Sequence, residues 1–406
     1  MKLVRKIIPQ KLINLFWHLP KSFLALLVYQ FPSKKLKVIA VTGTDGKTTT
    51  TNMIYRALSD SGKKVSMVST INAVIGDKSI DTGFHITSPS AFAIQRLIKE
   101  AVAAKSEYLV LETTAHALDQ YRYLGIKFQV GVVTNITHEH LDYFKTMNRY
   151  FSAKAKLVKK SKVAILNYDD PSYRKLSAVA PGQIISFGLS RKATFNPISY
   201  PFKLKLPGEY NLLNALAAAA TISAVEKNSK ALRKSLESFS GLNGRMQEVK
   251  NKKGLKIIID FAHTPNGLKQ ALLTLKQMKQ GRSRIISLIG AEGYRDEGKR
   301  AIMGKIAAEH SDFVIITAVD PRGLIDQINR QILAGVRTAR RLAKEKIFIE
   351  EDRFAAINYA INGLAKEGDV IGIFGKGHET SMNLDGKKEL PWSDLEAVQT
   401  ALYGKP

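Results

Sequence analysis

The chain has 406 residues, of which 45% are hydrophobic and 24% are charged, and it contains no cysteine. This composition is typical of a soluble globular protein of two or three domains, is compatible with a cytoplasmic location, and excludes disulfides and cysteine-ligated metals. The formal charge of +27, from 62 Lys and Arg against 35 Asp and Glu, indicates anionic partners, although a lysine-rich solvated surface gives the same balance. The lysines are scattered without interleaved aromatic residues, so no specific nucleic-acid partner is expected.

Residues 1–36 are predicted to form a basic amphipathic arm. No acidic residue occurs before Asp45, and apolar side chains recur at helical spacing from Ile8 to Leu19 before Pro20 interrupts the pattern. The apolar run is expected to be too short to span a bilayer, and no small-residue cleavage site follows it. Two interpretations remain: the arm lies on an anionic membrane surface, peripheral to its inner face, or it packs on the domain behind it.

The segment 38–50 predicts a strand, a phosphate-binding loop and a helix. An apolar run at 38–41 precedes Gly43-Thr-Asp-Gly-Lys-Thr48, and a helical pattern follows over 49–59. Backbone N–H groups of such a loop bind polyphosphate; Lys47 would reach the β- and γ-phosphates and the Thr48 hydroxyl would contact Mg²⁺. Val41 stands where the full Walker pattern has glycine. The alternative, a simple turn between strand and helix, leaves Lys47 unexplained.

Apolar runs alternate with helical patterns along the rest of the chain. Strands are predicted over 65–69, 108–112, 130–135, 163–167, 256–261, 284–289, 313–317, 346–349 and 370–374, and helices over 91–104 and 209–227. This alternation predicts a mostly parallel, doubly wound α/β domain with the nucleotide at the strand C-termini, then a second, Rossmann-like α/β domain. The Gly-Leu-Asn-Gly segment at 241–244 is the predicted boundary, which gives a central domain at 37–243 and a C-terminal domain at 244–406.

Polar residues follow two predicted strands of the first domain. Glu112 ends one strand, and Thr134-Asn-Ile-Thr-His-Glu-His-Leu-Asp142 ends another. A carboxylate that faces a phosphate loop is suited to a metal–phosphate contact. The dense His and Asp residues indicate either a transition-metal site, or one histidine that assists Mg²⁺ while the others shape the loop.

Nine motifs occur in the order found in the Mur ligases, and the chain most resembles the MurE-type branch, the UDP-N-acetylmuramoyl-tripeptide synthetases. The resemblance covers roughly residues 37–400. The motifs are Gly43-Thr-Asp-Gly-Lys-Thr-Thr-Thr50, Leu111-Glu-Thr-Thr-Ala-His116, the segment 134–142, Tyr150-x-x-Ala-Lys154, Gly208-x-x-Asn-x-x-Asn214, Gly244-Arg-Met246, Asp260-Phe-Ala-His-Thr-Pro265, Gly293-Tyr-Arg-Asp-x-Gly-Lys-Arg300 and Gly375-Lys-Gly-His-Glu379.

The resemblance implies a P-loop Mur ligase central domain, a C-terminal domain that binds the incoming amino acid, and ATP-dependent amide ligation through an acyl phosphate. It implies that Thr48 and Glu112 hold one Mg²⁺, and that His140 and a carbamylated Lys154 help to hold a second. The implied catalytic residues are Lys47, Glu112, His140 and Lys154. The implied nucleotide-binding residues are Thr44, Asp45, Gly46, Lys47, Thr48, Thr49, Asn135, Asn211, Asn214, Arg245 and Asp260.

The resemblance also implies an acceptor site and an amino-acid pocket. The residues that match the muramoyl-peptide site are Thr87, Ser88, Thr114, Gln120 and Arg122. The residues that match the pocket for a diamino acid are Arg295, Asp320, Arg322, Gly375 and Glu379. Arg322 favours meso-diaminopimelate, added to a UDP-N-acetylmuramoyl-dipeptide-like acceptor in peptidoglycan precursor synthesis. However, Val319-Asp-Pro-Arg322 departs from the Asp-Asn-Pro-Arg of those enzymes and leaves the amino acid open.

Full-length relatives carry an N-terminal domain that binds the uridine part of the substrate, whereas 36 residues precede the core here. We therefore expect either that binding of the uridine part is lost or that the substrate differs. One alternative is a folylpolyglutamate-synthase-like ligase, which shares the ATPase core; the motifs at 260–265 and 375–379 argue against it. Cyanophycin-type amino-acid polymerisation is disfavoured because no additional domain of ATP-grasp size is evident. Another alternative is a non-catalytic, membrane-associated nucleotide-binding scaffold. It predicts losses among Lys47, Glu112, His140 and Lys154, none of which is lost.

Overall fold

The computed structural model describes residues 8–81, 88–226, 229–339, 342 and 344–404, with only the backbone described at 81 and 229–231. The chain divides into two compact units. The first contains the described residues up to Ile136, together with Thr146–Lys205 and Tyr210–Phe239. The second contains Thr137–Lys145, Leu206–Glu209 and the described residues from Ser240 onward. The division at 239/240 lies four residues before the predicted start of the C-terminal domain at 244.

The arm forms one 20-residue helix, α1 (Gln10–Tyr29). Its turn at Asn14–His18 is π-helical and directly precedes Leu19–Tyr29, in which Pro20 is the second residue. A proline ring clashes with the carbonyl four residues earlier in a regular helix, and a widened turn ahead of it relieves that clash. The expectation of a run too short to span a bilayer was wrong: by length and composition alone this helix could cross a membrane, a test that core helices of soluble proteins and signal sequences also pass.

The first unit is built on an eight-stranded sheet in the order β4-β3-β2-β5-β1-β6-β7-β8. Its strands are β1 (Lys37–Thr42), β2 (Val65–Val68), β3 (Asn72–Ile75), β4 (Lys78–Asp81), β5 (Tyr108–Glu112), β6 (Phe128–Val133), β7 (Ser161–Asn167) and β8 (Gln183–Phe187). All neighbouring pairs are parallel except the β2–β3 and β3–β4 pairs. The predicted doubly wound sheet is confirmed, whereas β3, β4 and β8 were not predicted.

Helices lie before, between and after these strands in the chain. They are α2 (Lys47–Asp60), α3 (Ala91–Ala103), α4 (Ala115–Asp119), α6 (Met147–Val158), α7 (Tyr173–Ser177), α8 (Glu209–Ser223) and α9 (Ser229–Ser238). The short helix α5 (Leu141–Phe144) belongs to the second unit. The strands β1 and β5 are buried and pair in register at the centre of the sheet. Their carboxyl ends, with that of β6, gather the phosphate loop, Glu112 and Asn135 at one edge, where open α/β sheets bind ligands.

The second unit is built on a six-stranded sheet in the order β13-β12-β11-β14-β10-β9, in which only β9 is antiparallel to its neighbour. Its strands are β9 (Gln247–Val249), β10 (Lys256–Asp260), β11 (Ile285–Ile289), β12 (Phe313–Ile316), β13 (Ile347–Ile349) and β14 (Val370–Phe374), with a separate hairpin of β15 (Ser381–Met382) and β16 (Leu390–Pro391). Its longer helices are α10 (Pro265–Met278), α11 (Gly298–His310), α12 (Ile325–Thr338), α13 (Arg353–Asn358) and α14 (Asp394–Tyr403). The five predicted strands are confirmed, and β9 was not predicted.

The arginine of a fully buried ion pair makes hydrogen bonds at the carboxyl ends of two of these strands. The Arg353 guanidinium donates to both oxygens of the Asp394 carboxylate, at 2.7 and 2.8 Å. It also donates to the backbone carbonyls of Ala318, just after β12, and of Phe374, the last residue of β14, both at 3.1 Å. Sequence analysis identified neither member of the pair.

We expect Asp394→Ala to lower the free energy of unfolding of the second unit by about 3–5 kcal/mol, because it leaves a buried guanidinium without its counter-ion. Urea denaturation followed by circular dichroism measures the change. Glu396→Ala, on the exposed face of the same helix, is the matched control and should change it by less than about 0.5 kcal/mol. A similar small loss in both variants would show that the pair does not anchor the unit.

Candidate active site

The phosphate-binding loop depends on a glycine at the start of α2. Gly46 has φ +80°, in the left-handed region, and a Cβ there would lie 2.3 Å from Oδ1 of Asn214 on α8. A side chain at residue 46 would therefore be strained and would collide. The first backbone N–H groups of α2 have no carbonyl partners within the helix, which makes this turn suited to anions.

The two residues directly after β6 make hydrogen bonds that stabilise the conformation of the loop. The Asn135 side-chain oxygen accepts hydrogen bonds from the N–H groups of Thr44, at 3.1 Å, and Asp45, at 2.9 Å. The Thr134 hydroxyl donates to the Asp45 carbonyl at 2.6 Å. Asn135, predicted to contact the nucleotide, thus contacts the backbone of the loop itself.

Two lysines donate to carbonyls of the same loop. The Lys47 ammonium lies 2.8 Å from the Thr44 carbonyl. The Lys154 side chain, only 1% exposed, donates to the Gly43 carbonyl at 2.6 Å and lies 4.6 Å from the centre of the Tyr150 ring. The Tyr150 hydroxyl is in turn 3.2 Å from that of Thr44. Lys154 is therefore part of the frame of the loop.

A buried carboxylate lies against the first turn of α2. Glu112, at the end of β5, accepts hydrogen bonds from the Thr48 hydroxyl at 3.0 Å and from the Thr70 hydroxyl at 2.7 Å. The Thr70 N–H donates to its other oxygen at 2.8 Å. The structure thus brings together the two predicted ligands of the first Mg²⁺. Sequence analysis missed Thr70, which lies two residues after the carboxyl end of β2, whereas Glu112 is the last residue of β5.

Two asparagines of α8 lie beside the loop. Asn211 and Asn214 are both buried, and the Asn214 amide donates to the Asn211 side-chain oxygen at 3.3 Å. The Thr50 hydroxyl donates to Asn214 Oδ1, also at 3.3 Å. The neighbouring Thr49 is buried in the first turn of α2. These contacts join α8 to the start of α2.

Four of the five predicted acceptor-site residues form one hydrogen-bond network in the first unit, and Thr87 lies outside the described residues. The Thr114 hydroxyl donates to the Ser88 hydroxyl at 3.1 Å, and the Arg122 guanidinium donates to the Ser88 carbonyl at 2.6 Å. Arg122 also donates twice to the Gln120 side-chain oxygen, at 2.6 and 3.1 Å. This network fixes the guanidinium between the segment that precedes α3 and the segment that follows α4.

A tyrosine that sequence analysis missed completes this network. The Tyr123 hydroxyl donates to the Ser88 hydroxyl at 3.0 Å. Burial raises the pKa of Tyr123, against the opposing effects of Ser88 and Arg122, so the phenol stays a neutral donor. The sequence did offer one indication of a role for Tyr123, its position three residues after Gln120.

In the second unit, the segments 244–246, 260–265 and 375–379 meet. The Asp260 carboxylate accepts from the N–H groups of Met246, at 2.7 Å, and Ala262, at 2.8 Å. The Arg245 guanidinium lies 4.5 Å from the centre of the Phe261 ring, which packs 5.1 Å from that of His378. Burial is the main cause that lowers the pKa of His378 to about 3, and the charges of Arg245 and Lys376 add to it, so the imidazole is neutral.

The histidine-rich segment 137–145 contacts the motif 293–300 within the second unit. His138 Nε2 lies 3.2 Å from Asp296 Oδ2, and the buried Lys299 ammonium lies 3.1 Å from Glu139 Oε1. His140 precedes α5 with φ +57°, and its Nδ1 is 3.8 Å from Glu139 Oε1. Within the described ranges, no group of three or more His, Asp or Glu could hold a metal ion, which disfavours the transition-metal interpretation.

The predicted amino-acid pocket contains two carboxylates and one buried lysine. The Lys376 ammonium lies 3.0 Å from Asp320 Oδ1 and 2.5 Å from Glu379 Oε2. Burial raises the pKa of Glu379 to about 7; Lys376 opposes this shift, and Glu292 and Asp320 add to it. Arg322 lies 3.9 Å from Asp320 Oδ2.

The backbone of this pocket is strained. Asp320 has φ +44° and Arg322 has φ +52°, values that non-glycine residues rarely adopt. Gly375 has φ +106°, and a Cβ there would lie 3.0 Å from the Val319 side chain. Such strain concentrates at functional sites, where the surrounding structure maintains it.

Arg295, the remaining residue of the predicted amino-acid pocket, is paired with the carboxylate of Glu292. Its Nε lies 2.9 Å from Glu292 Oε2. Burial alone would raise the pKa of Glu292, but Arg295, Lys299 and neighbouring cations outweigh it and lower that pKa. Burial, followed by the charge of Lys299, lowers the pKa of His263 to about 3. Glu292 therefore stays ionised and His263 stays neutral.

A glycine–lysine loop at the carboxyl edge of a doubly wound sheet, beside a buried carboxylate, defines the first unit as a P-loop nucleotide-binding domain. The family model of the Mur ligase middle domain matches residues 41–222, and that of the Mur ligase, glutamate ligase domain, matches residues 244–377. The chain belongs to the Mur ligase family, whose members are ATP-dependent amino-acid ligases. The resemblance inferred from the nine motifs is confirmed.

Similarity to individual proteins extends over both units. The chain is 36% identical over 392 residues to the UDP-N-acetylmuramoyl-L-alanyl-D-glutamate–2,6-diaminopimelate ligase of Aquifex aeolicus (strain VF5), covering 92% of this chain and 79% of that protein. A solved structure of a ligase of the same name is 27% identical, with a TM-score of 0.60, covering 90% of this chain and 78% of that one. A Mycobacterium tuberculosis folylpolyglutamate synthase shares the fold, with a TM-score of 0.66 at 18% identity, covering 88% of this chain and 92% of that one.

We expect Gly46→Ala to weaken ATP binding and to destabilise the first unit, because the new methyl group would meet Asn214 on a backbone that already disfavours it. Gly62→Ala is the matched control: its φ is +82°, and no atom lies within 4 Å of the position that its added methyl group would take. The control should cost about 1 kcal/mol from backbone strain alone. Thermal unfolding and the binding of a fluorescent ATP analogue measure both effects. Equal losses in the two variants would contradict a role for the close approach to Asn214.

Proposed function

We propose that this chain uses ATP to add meso-diaminopimelate to a UDP-N-acetylmuramoyl-dipeptide-like acceptor in peptidoglycan precursor synthesis. The observation that carries the proposal is the 36% identity, over 92% of the chain, to a ligase named for this reaction. The two family-model matches include the phosphate loop of the first unit and residues 320, 322 and 375–377 of the second.

The loop and its lysine are proposed to bind the nucleotide phosphates. The N–H groups at the start of α2 and the Lys47 ammonium would bind the β- and γ-phosphates, and Thr48 and Glu112 would hold one Mg²⁺. A set of one carboxylate and one hydroxyl fits Mg²⁺, which in nucleotide sites takes its other ligands from phosphates and water. Bound there, Mg²⁺ would neutralise phosphate charge. Arg245 and Asp260 are proposed as further nucleotide contacts.

His140 and a carbamylated Lys154 are proposed to help hold a second Mg²⁺. The Lys154 nitrogen donates to the Gly43 carbonyl, and a carbamate nitrogen keeps one N–H that can make the same bond. Carbamylation would therefore keep the contact with the loop and replace a buried cation by anionic oxygen ligands.

The two-step chemistry then follows from positioning. The acceptor carboxylate, held beside Ser88, Thr114 and Arg122, would attack the γ-phosphorus of ATP, and the bond to ADP would break. The amino group of the second substrate would attack the acyl phosphate, and a tetrahedral intermediate would expel phosphate as the nitrogen loses a proton. Charge neutralisation and orientation supply the catalysis, without a protein nucleophile.

The second unit is proposed to bind the amino acid. A guanidinium pairs with a carboxylate through two parallel hydrogen bonds. Arg322 is proposed to bind the carboxylate of the amino acid in this way, and Arg295 is proposed as a further residue of the pocket. Glu379, with Asp320, would accept the ammonium of the diamino acid. The sequence Val319-Asp-Pro-Arg322 keeps this arginine, and its strained backbone supports a role in specificity.

The enzyme is proposed to act in the cytoplasm, with α1 as a peripheral contact to the inner face of the membrane. A folylpolyglutamate-synthase-like activity has only the shared fold in its favour, since the identity there is 18%. A non-catalytic scaffold would not need to keep the Thr48–Glu112 contact or the paired charges around Lys376.

Phosphate release from Mg-ATP tests the proposal, with UDP-muramoyl-dipeptide supplied and amino acids added one at a time. We expect release that requires both the dipeptide and meso-diaminopimelate, and a loss of at least about a hundredfold in Lys47→Ala. Arg322→Lys, which keeps the charge but loses the paired donors, should raise the KM for diaminopimelate more than that for ATP. Release with a folate or another acceptor would replace the proposed substrate, and no release with any acceptor would favour the scaffold.

The KM for diaminopimelate should depend on pH through Glu379. Its pKa is raised to about 7, so the ionised form that accepts an ammonium is lost as pH falls through that value. We expect this KM to rise below pH 7, approaching about tenfold per pH unit, while the KM for ATP changes little. Glu379→Gln should show a high KM at every pH and no such dependence. Identical pH profiles in the two proteins would exclude Glu379 as the ammonium partner.

A further inference from the structure

One face of α1 presents an unusual concentration of apolar side chains to solvent. Nine of the nineteen exposed large apolar side chains among the described residues lie between Ile8 and Val28. Phe16 is 72% exposed, Trp17 62%, and Phe23 53%. An exposed apolar stripe of this length marks an interaction surface.

The opposite face of α1 is fastened to the first unit. The Asn14 amide donates to Asp119 Oδ2 at 2.7 Å and to the Asp119 carbonyl at 3.3 Å. The Leu26 side chain packs so closely on Gly125 that a Cβ there would lie 2.7 Å from it. The Tyr29 ring packs edge-on against that of Phe92, at 6.5 Å between centres.

These attachment points flank the proposed acceptor site along the chain. Asp119 directly precedes Gln120 and lies three residues before Arg122, and Phe92 lies four residues after Ser88. The helix α1 therefore packs on the two segments that carry the proposed acceptor-binding network. A surface bound by α1 would lie beside that network.

Charge identifies the kind of surface. Lys11 and Lys21 on α1, and Lys34 and Lys35 just after it, are exposed, and no acidic residue occurs before Asp45. Such a surface attracts anionic lipid headgroups. A second copy of α1 would bring like charges together, which disfavours self-association. Spanning a bilayer would detach Asn14 from Asp119 and place Lys21 in hydrocarbon.

We propose that the exposed face of α1 docks in the plane of an anionic bilayer and holds the acceptor-binding segments of the first unit at the lipid surface. The placement of the acceptor site rests on the proposed ligase function; the docking rests on the exposed apolar side chains and the charge of α1. Because the helix stays attached through Asn14, Leu26 and Tyr29, docking needs no unfolding of the first unit.

Vesicle co-sedimentation of the full chain tests the docking. We expect binding to phosphatidylcholine vesicles containing phosphatidylglycerol, at least tenfold weaker binding to phosphatidylcholine alone, and weakening with salt. Phe16→Glu with Trp17→Glu should lower binding at least tenfold. Ile198→Glu, which alters a side chain 65% exposed outside the arm, is the matched control and should bind as the parent. Equal binding by all three proteins would overturn the proposal, as would resistance to alkaline carbonate extraction, or binding that appears only where sedimentation velocity detects dimers.

Tryptophan fluorescence gives a second, local readout. The chain has two tryptophans, Trp17 and Trp392. Brominated lipids should quench the parent protein, and Trp17→Phe, which keeps the apolar face, should abolish the quenching without abolishing co-sedimentation. Persistent quenching in Trp17→Phe would contradict docking through α1. Ligase activity on a soluble acceptor without vesicles, measured in parallel, separates failure of the docking from failure of the proposed function.

Discussion

The phosphate loop depends on hydrogen bonds from distant parts of the chain. A loop that turns consecutive N–H groups toward a ligand leaves its own carbonyls and remaining N–H groups to be satisfied from outside. Asn135 and Thr134 satisfy part of its backbone from β6, and Lys154 does so from α6. Asn214 of α8 fills the space that the missing side chain of Gly46 leaves. The loop geometry is therefore a property of the whole carboxyl edge of the sheet, and the short motif alone does not determine it.

Buried cations recur at the carboxyl edges of both sheets. Lys154 faces a loop carbonyl, Lys299 pairs with Glu139, and Lys376 pairs with two carboxylates. Burying a charge costs more than its pairing usually returns, and an apolar replacement is often as stable. Stability alone therefore does not account for these lysines. The contacts of Lys154 and Lys376 lie near the carboxyl ends of strands, where α/β folds bind ligands, which supports the proposed sites there.

The sequence predicted the central strands because buried parallel strands are continuous apolar runs. The proposed site residues were placed at their carboxyl ends, where open α/β sheets bind ligands. The hairpin of β3 and β4 was missed: its strands are four residues long, and the signal lay in the two-residue turn Gly76-Asp77. The pair Arg353–Asp394 could not be predicted, since the partners are 41 residues apart and neither lies in a motif. The π-helical turn before Pro20 likewise has no sequence signature, so α1 was predicted to be interrupted there.

In the proposed amino-acid pocket, the pKa of Glu379 bears on the kind of ligand that would fit. Asp320 and Glu379 share the ammonium of Lys376, and the Arg322 guanidinium lies 3.9 Å from Asp320. Burial raises the pKa of Glu379 to about 7 in spite of Lys376, and the carboxylates of Glu292 and Asp320 add to this shift. A ligand ammonium beside Glu379 would lower this pKa and be held by the ionised form. A zwitterionic diamino acid, which brings an ammonium and also a carboxylate for Arg322, matches both requirements of the pocket, whereas an anion without an amino group matches only one.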